Sequence, residues 1–191
     1  KTTLAKQILD VDLKSEDKDA NIELNGTLRQ LYHAPIFTIN AIVKDFNLKK
    51  FGITDEEVWL KTNLKTQFNN ISGGDLMGKA VFNSLDLKKG TEHFSLDSIA
   101  IESSSKDNIQ YLNLKTKRVA LDLFGDFNLF ELPNTFQYFL SKYLPGYFKK
   151  TQAISKSQNI NFELNIDSSS NIFSFLNPEI RFPNGAKAKG S

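Results

Sequence analysis

From Val58 to Phe68 the chain alternates. Val58, Leu60, Thr62, Leu64, Thr66 and Phe68 fall on one side of an extended backbone, and Trp59, Lys61, Asn63, Lys65 and Gln67 on the other. Successive strand side chains point to opposite faces, so this period predicts a strand with one dry and one wet side. The pattern recurs at Ile22, Leu24, Gly26 and Leu28; at Phe37, Ile39, Ala41 and Val43; and at Leu76, Gly78, Ala80 and Phe82. It returns at Leu112 and Leu114, at Leu121, Leu123, Gly125, Phe127 and Leu129, and at Ile160, Phe162, Leu164 and Ile166. Phe94 and Leu96 are out of phase with Ile99 and Ile101, which predicts a bulge or bend at Asp97-Ser98.

The breaks are short and polar: Ser72 to Asp75, Lys88 to Thr91, Ser103 to Asn108, Asp167 to Asn171. Connections of hairpin size imply antiparallel neighbours. The expected fold is therefore mainly β, a curled antiparallel meander of about nine to eleven strands. One segment follows another period. Phe136, Phe139, Leu140, Tyr143 and Leu144 recur at helical spacing, which predicts an amphipathic helix over about 134–144, with Asn134 or Thr135 as N-cap and Pro145-Gly146 as stop. A weaker helical pattern covers Thr2 to Leu9. No domain boundary is visible, so residues 1–191 read as one segment, with 185–191 a disordered tail.

Composition narrows the chemistry. The 191 residues carry Lys+Arg 24 against Asp+Glu 22, a net charge of +2, which argues against nucleic acid as a main partner. Cys 0 excludes disulfides and thiol nucleophiles, and His 2 (His33 and His93, in separate segments) leaves little for zinc or a serine triad. The Asp55-Glu56-Glu57 run reads as solvated turn charge, and Asp10 and Asp12 lie on the wet side of a strand. Ser72-Gly73-Gly74-Asp75 lacks the spacing and the Lys-Ser/Thr finish of a phosphate loop. The expectation is a non-enzymatic chain with no catalytic residue, metal or cofactor. No apolar run approaches the ~20 residues that cross a bilayer, and the first residues carry no signal-peptide pattern. Membrane attachment is thus expected through another part of a longer chain.

The abundant residue is Phe, 16 copies, which builds dry surface. The inward face comprises Phe37, Ile39, Val43, Val58, Leu60, Leu64, Phe68, Phe82, Leu121, Leu123, Phe127, Phe162, Leu164 and Ile166. Two readings stay open: a barrel or sandwich core filled by its own side chains, or a groove that admits apolar ligand. The helix either caps one end of the curled sheet or covers its seam, or it lies on a membrane surface.

Several stretches, in order, resemble the Bacteroidetes branch of the TamB family, within the AsmA-like group. Ala34-Pro35-Ile36-Phe37-Thr38-Ile39-Asn40-Ala41 and Val43 to Phe51 resemble that family's strand and short turn. Gly74 to Ala80, Phe94-Ser95-Leu96-Asp97-Ser98-Ile99 and Asp122 to Leu129 resemble three of its strand motifs. The helix up to Tyr143-Leu144-Pro145 and the strand Phe162-Glu163-Leu164-Asn165-Ile166 follow in the same order. The resemblance spans roughly residues 20 to 190, each motif being a strand with a glycine and the order carrying the likeness. It implies an internal fragment of a protein anchored in the inner membrane and bridging the periplasm. Its partners would be phospholipid acyl chains and, through other parts of the full chain, an outer-membrane barrel of the TamA/BamA type. The implied fold is a half-open β-taco whose apolar groove conducts phospholipid or chaperones barrel strands by strand addition. Phe124, bulky and on the wet face, departs from the family's pattern, and contact with the helix would account for it.

Overall fold

A computed structural model describes residues 2–5, 8–30, 35–69, 76–107, 109–129, 131–143, 158–168 and 183–191. The strands are β1 (Thr2–Ala5), β2 (Ile8–Asp17), β3 (Ala20–Arg29), β4 (Ile36–Asn47), β5 (Trp59–Asn69), β6 (Met77–Lys89), β7 (Glu92–Lys106), β8 (Ile109–Lys115), β9 (Val119–Asp126), β10 (Asn159–Ile166) and β11 (Ala186–Gly190). Helix α1 (Leu132–Tyr143) lies between β9 and β10. All eleven strands form one sheet in chain order, every neighbour antiparallel: a curled meander, left open.

Local turn chemistry makes this order natural. Between β2 and β3 the Asp19 backbone N–H donates to Asp17 Oδ1 at 2.8 Å, an Asx turn. Gly90, at φ 57°, supplies the left-handed residue between β6 and β7. Between β8 and β9 the Thr116 hydroxyl oxygen accepts from the backbone N–H groups of Arg118 (3.0 Å) and Val119 (2.8 Å). Each hairpin fixes the register of the next, and register fixes which face every side chain occupies.

Three readings of the sequence are corrected. Thr2 to Leu9 is not helical: it is β1 and the start of β2, with Leu4 opposite Leu9. An edge offers backbone partners that a short isolated helix lacks. The polar run after Ser103 is strand up to Lys106, because Ser103 and Ser105 pair with Leu112 and Gln110. The tail is β11, whose Ala186, Ala188 and Gly190 pair with Ile166, Leu164 and Phe162. Small residues suit this edge, since a Cβ on Gly190 would come within 2.8 Å of the Phe162 ring.

Helix α1 begins two residues before the expected Asn134. Pro133 is tolerated because first-turn N–H groups have no intrahelical acceptor. Thr135 therefore lies inside the first turn, its hydroxyl donating to the Glu131 carbonyl at 2.9 Å. Pro145-Gly146, the expected stop, lies outside the described residues, as do His33 and the Ser72–Asp75 turn.

The bend expected at Asp97-Ser98 is present. Leu96 pairs with Leu85 and Ile99 with Phe82, so both strands step three residues between same-face positions. Ser84, at φ 53°, sits in that step. A second bulge interrupts β4 between Val43 and Phe46. Bulges bend a sheet and sharpen its twist, and these two lie toward one end of the strands.

Candidate functional site

The registers resolve the two faces residue by residue. One row of directly opposed positions runs Leu9, Leu28, Phe37, Phe68, Gly78, Ser103, Leu112, Leu123, Phe162, Gly190, from β2 to β11. The adjacent row on the same face runs Val11, Gly26, Ile39, Thr66, Ala80, Ile101, Leu114, Leu121, Leu164, Ala188. Between them on the opposite face lie Asp10, Thr27, Thr38, Gln67, Lys79, Glu102, Asn113, Asp122, Glu163 and Lys189, all polar. Opposed antiparallel residues share a face, so the dry side is continuous across the sheet.

Of the residues expected to line this face, Phe37, Ile39, Val43, Leu60, Leu64, Phe68, Phe82, Leu121, Leu123, Phe162, Leu164 and Ile166 occupy it in register. Val58 and Phe127 flank β5 and β9 and are buried. Val11, whose alternation with Asp10 and Asp12 already marks it as apolar-side, shares the face, and so do Leu9 and Leu85, which lie outside the expected lining. Asp10 and Asp12 are on the wet side, where Asp12 accepts from Asn25 at 3.2 Å.

Burial along the dry face is uneven. Leu123 is 1% exposed and packs with Phe127 and Leu132, joined by Leu112, Leu121, Leu129, Ile160 and Phe162. Toward β2, Leu13 is 50% exposed. Among the described elements each strand's backbone approaches only its chain neighbours, and no second sheet lies opposite. The side chains described for α1 place only Leu132 in the apolar cluster, while Phe136 is exposed. Among the described residues the helix meets the dry face through its first turn, at the β9 end. Leu144, and the side chains of Phe139, Leu140 and Tyr143, lie outside what the structure describes. Phe124 is stacked on Tyr111, centroids 6.4 Å apart, on the wet face, so among the described residues its ring partner is across the strands.

Two glycines shape the dry surface in opposite ways. At Gly78 (φ +148°) a Cβ would overlap the Gln67 carbonyl and lie 2.6 Å from Phe68 Cα, so the missing side chain is space that buried Phe68 already uses. At Gly26 a Cβ would sit 3.7 Å from Ile39 and 3.9 Å from Leu24, in ordinary contact. That gap is unfilled: an open apolar hollow of about 310 Å³ lies over Gly26, walled by Leu9, Val11, Leu24, Leu28, Phe37 and Ile39. Two hydroxyls on the dry face, Thr66 Oγ1 and Ser103 Oγ, are buried with no hydrogen-bond partner.

Electrostatics is confined to the wet face and the rims. Lys44 and Glu23 pair at 2.6 Å, and the Lys44 hydrogen bond holds the Glu23 carboxyl below its usual range. Lys89 reaches Glu56 at 2.5 Å, whose hydrogen bond raises the ammonium pKa, tying the β4–β5 loop to the end of β6. Among the described residues no group of three His, Asp or Glu side chains is placed to hold a metal, and no helix is long and apolar enough to cross a membrane. The chain matches no protein-family model, no curated protein and no solved structure.

Proposed function

We propose that this chain is a non-enzymatic segment of a periplasm-spanning, TamB-like protein, and that its dry sheet face carries phospholipid acyl chains between the inner and outer membranes. One observation supports this most: a largely apolar face that runs through ten successive strands with no second sheet opposite it among the described elements, covered by the following chain only at the β9 end. Strands ~4.8 Å apart make such a track about 45 Å long. An acyl tail spans half of a ~30 Å hydrocarbon core, so tails fit along it several times over. Each buried CH₂ contributes ~0.8 kcal/mol, spread over many similar side chains. Even spreading suits conduction, since no station holds the cargo tightly. The charged headgroup would stay at the open side, and the outer-membrane barrel partner would be reached through other parts of the full-length chain.

The alternative, strand addition of barrel substrates, draws on a different observation. The outer edge of β11 has no neighbouring strand among the described residues, leaving a row of backbone donors and acceptors. The two readings separate in one experiment. Leu64→Asp with Phe82→Asp places two carboxylates at opposed, half-buried positions. Photo-crosslinking of lipid to this face should fall at least about tenfold, the loss that about 1.4 kcal/mol in total produces, with the strand content unchanged by circular dichroism. Unaltered crosslinking in the folded double variant would sink the lipid track. If the face never crosslinks lipid and Ala188→Pro alone abolishes function, the edge is the working surface.

A further inference from the structure

The wet face is not uniform. At the bulged end of β4 to β7, Asn47, Trp59, Lys88 and His93 form one row of opposed positions, with Lys61, Asp86 and Ser95 in the row beside it. Here Trp59, Lys61, Lys88, His93, Asp45 and Asp86, with Lys18 from the β2–β3 turn, line an open pocket of about 440 Å³. Trp59 is the only tryptophan in the chain.

The indole is held in place. Its Nε1–H donates to Glu57 Oε1 at 3.1 Å, and the amide of buried Asn47 donates to the same carboxylate oxygen at 3.4 Å. A platform fixed from behind loses little freedom when a ligand lands on it. The charges around it are unequal. Lys61 pairs with Asp45 at 3.3 Å and His93 with Asp86 at 2.8 Å. Lys18 and Lys88 have no ion-pair partner among the described residues, so two ammonium groups remain to receive an anion.

We propose that this pocket binds a sugar phosphate, free or displayed as a phosphorylated glycolipid headgroup. The three lining chemistries each match one part of that ligand. An indole face packs against the C–H face of a pyranose, as aromatic surfaces accept flat apolar groups. The oxygens of Asp45 and Asp86 accept from sugar hydroxyls, oriented by Lys61 and the His93 ring already bound to them. Lys18 and Lys88 take the phosphate as charge-assisted donors. The volume falls within the range of small-molecule sites. The site is independent of the lipid track, which lies on the opposite face.

Because Trp59 is alone, its fluorescence reads the pocket directly. Glucose 6-phosphate in solution, and phosphatidylcholine vesicles doped with a phosphorylated glucosamine lipid, are titrated separately against the whole chain. Glucose and inorganic phosphate serve as partial ligands. The expected result is a saturable change with at least one of the two sugar phosphates, at least about tenfold tighter than with either partial ligand. A soluble response alone identifies a free sugar phosphate, and a vesicle response alone a headgroup; each supports the site. Lys88→Gln should weaken binding about tenfold, as loss of a charge-assisted hydrogen bond does. Lys18→Gln with Lys88→Gln should abolish it. Both residues are exposed, so the variants keep the strand signal. No saturable response to either sugar phosphate, or inorganic phosphate binding as tightly as both, overturns the proposal. The Leu64→Asp, Phe82→Asp variant should retain the response, which separates failure of this site from failure of the track.

Discussion

Near β9 the dry face is closed by the chain that follows it; near β2 it lies bare. Both regions carry the same alternation of large apolar and polar residues. In the first, Phe127 and Leu129 continue past the strand and Leu132 opens the helix, so Leu123 is enclosed. In the second, β1 is only four residues long and pairs no further along β2 than Val11, Gly26 leaves a hollow between Val11 and Ile39, and Leu13 is half exposed. The contrast teaches that a period of two makes a surface one-sided but does not bury it. Burial needs neighbours above the side chain: the chain after β9 supplies them for Leu123, and within the sheet neighbouring side chains do so for Phe68, Leu85 and Phe94.

The comparison breaks most visibly by truncation. Leu123→Ala should cost about 3 kcal/mol in urea unfolding, the loss for a buried leucine, while Leu13→Ala should stay within about 0.5 kcal/mol. Equal losses would mean that both ends are equally packed. Next in size is Gly78→Val. Its side chain must displace the Gln67 carbonyl and Phe68, so about 2 kcal/mol of strain is expected as a lower melting temperature. Gly26→Leu sharpens the contrast instead. The new side chain meets its neighbours at ordinary distances and fills the hollow, so stability should change by less than about 1 kcal/mol. Lipid crosslinking at Phe37 and Ile39 should nevertheless fall; a full signal in that variant would remove the hollow from the track.

The smallest effect is electrostatic. Glu23 titrates below its unfolded value because of Lys44, so its contribution is fully present above the unfolded carboxylate range. It is lost as pH falls through the lowered folded value. The pair is exposed and worth little. Glu23→Gln should leave melting unchanged near pH 7 and slightly flatten the acid limb of a melting-temperature curve.

Much of this was legible in the residues. The strand from Val58 to Phe68, the dry positions of β4, β9 and β10, and the slip at Asp97-Ser98 follow from side-chain alternation, which is local. Thr2 to Leu9 and the tail were misread for the opposite reason. Short segments such as Lys187-Ala188-Lys189 have little pattern of their own, and become strands because a neighbour's edge accepts their backbone hydrogen bonds. The pocket at Trp59 was invisible because its lining comes from β4, β5, β6, β7 and a turn at residue 18, joined only by register and by two bulges.

By itself the amino-acid order determined a one-sided antiparallel sheet, because hairpin-sized breaks and a two-residue period act between near neighbours. Whether that sheet closed on itself, which apolar positions found a second layer, and which wet-face charges were left without partners were decided only in three dimensions. Those outcomes depend on the summed twist and bulges of eleven strands, which no single stretch of the chain contains.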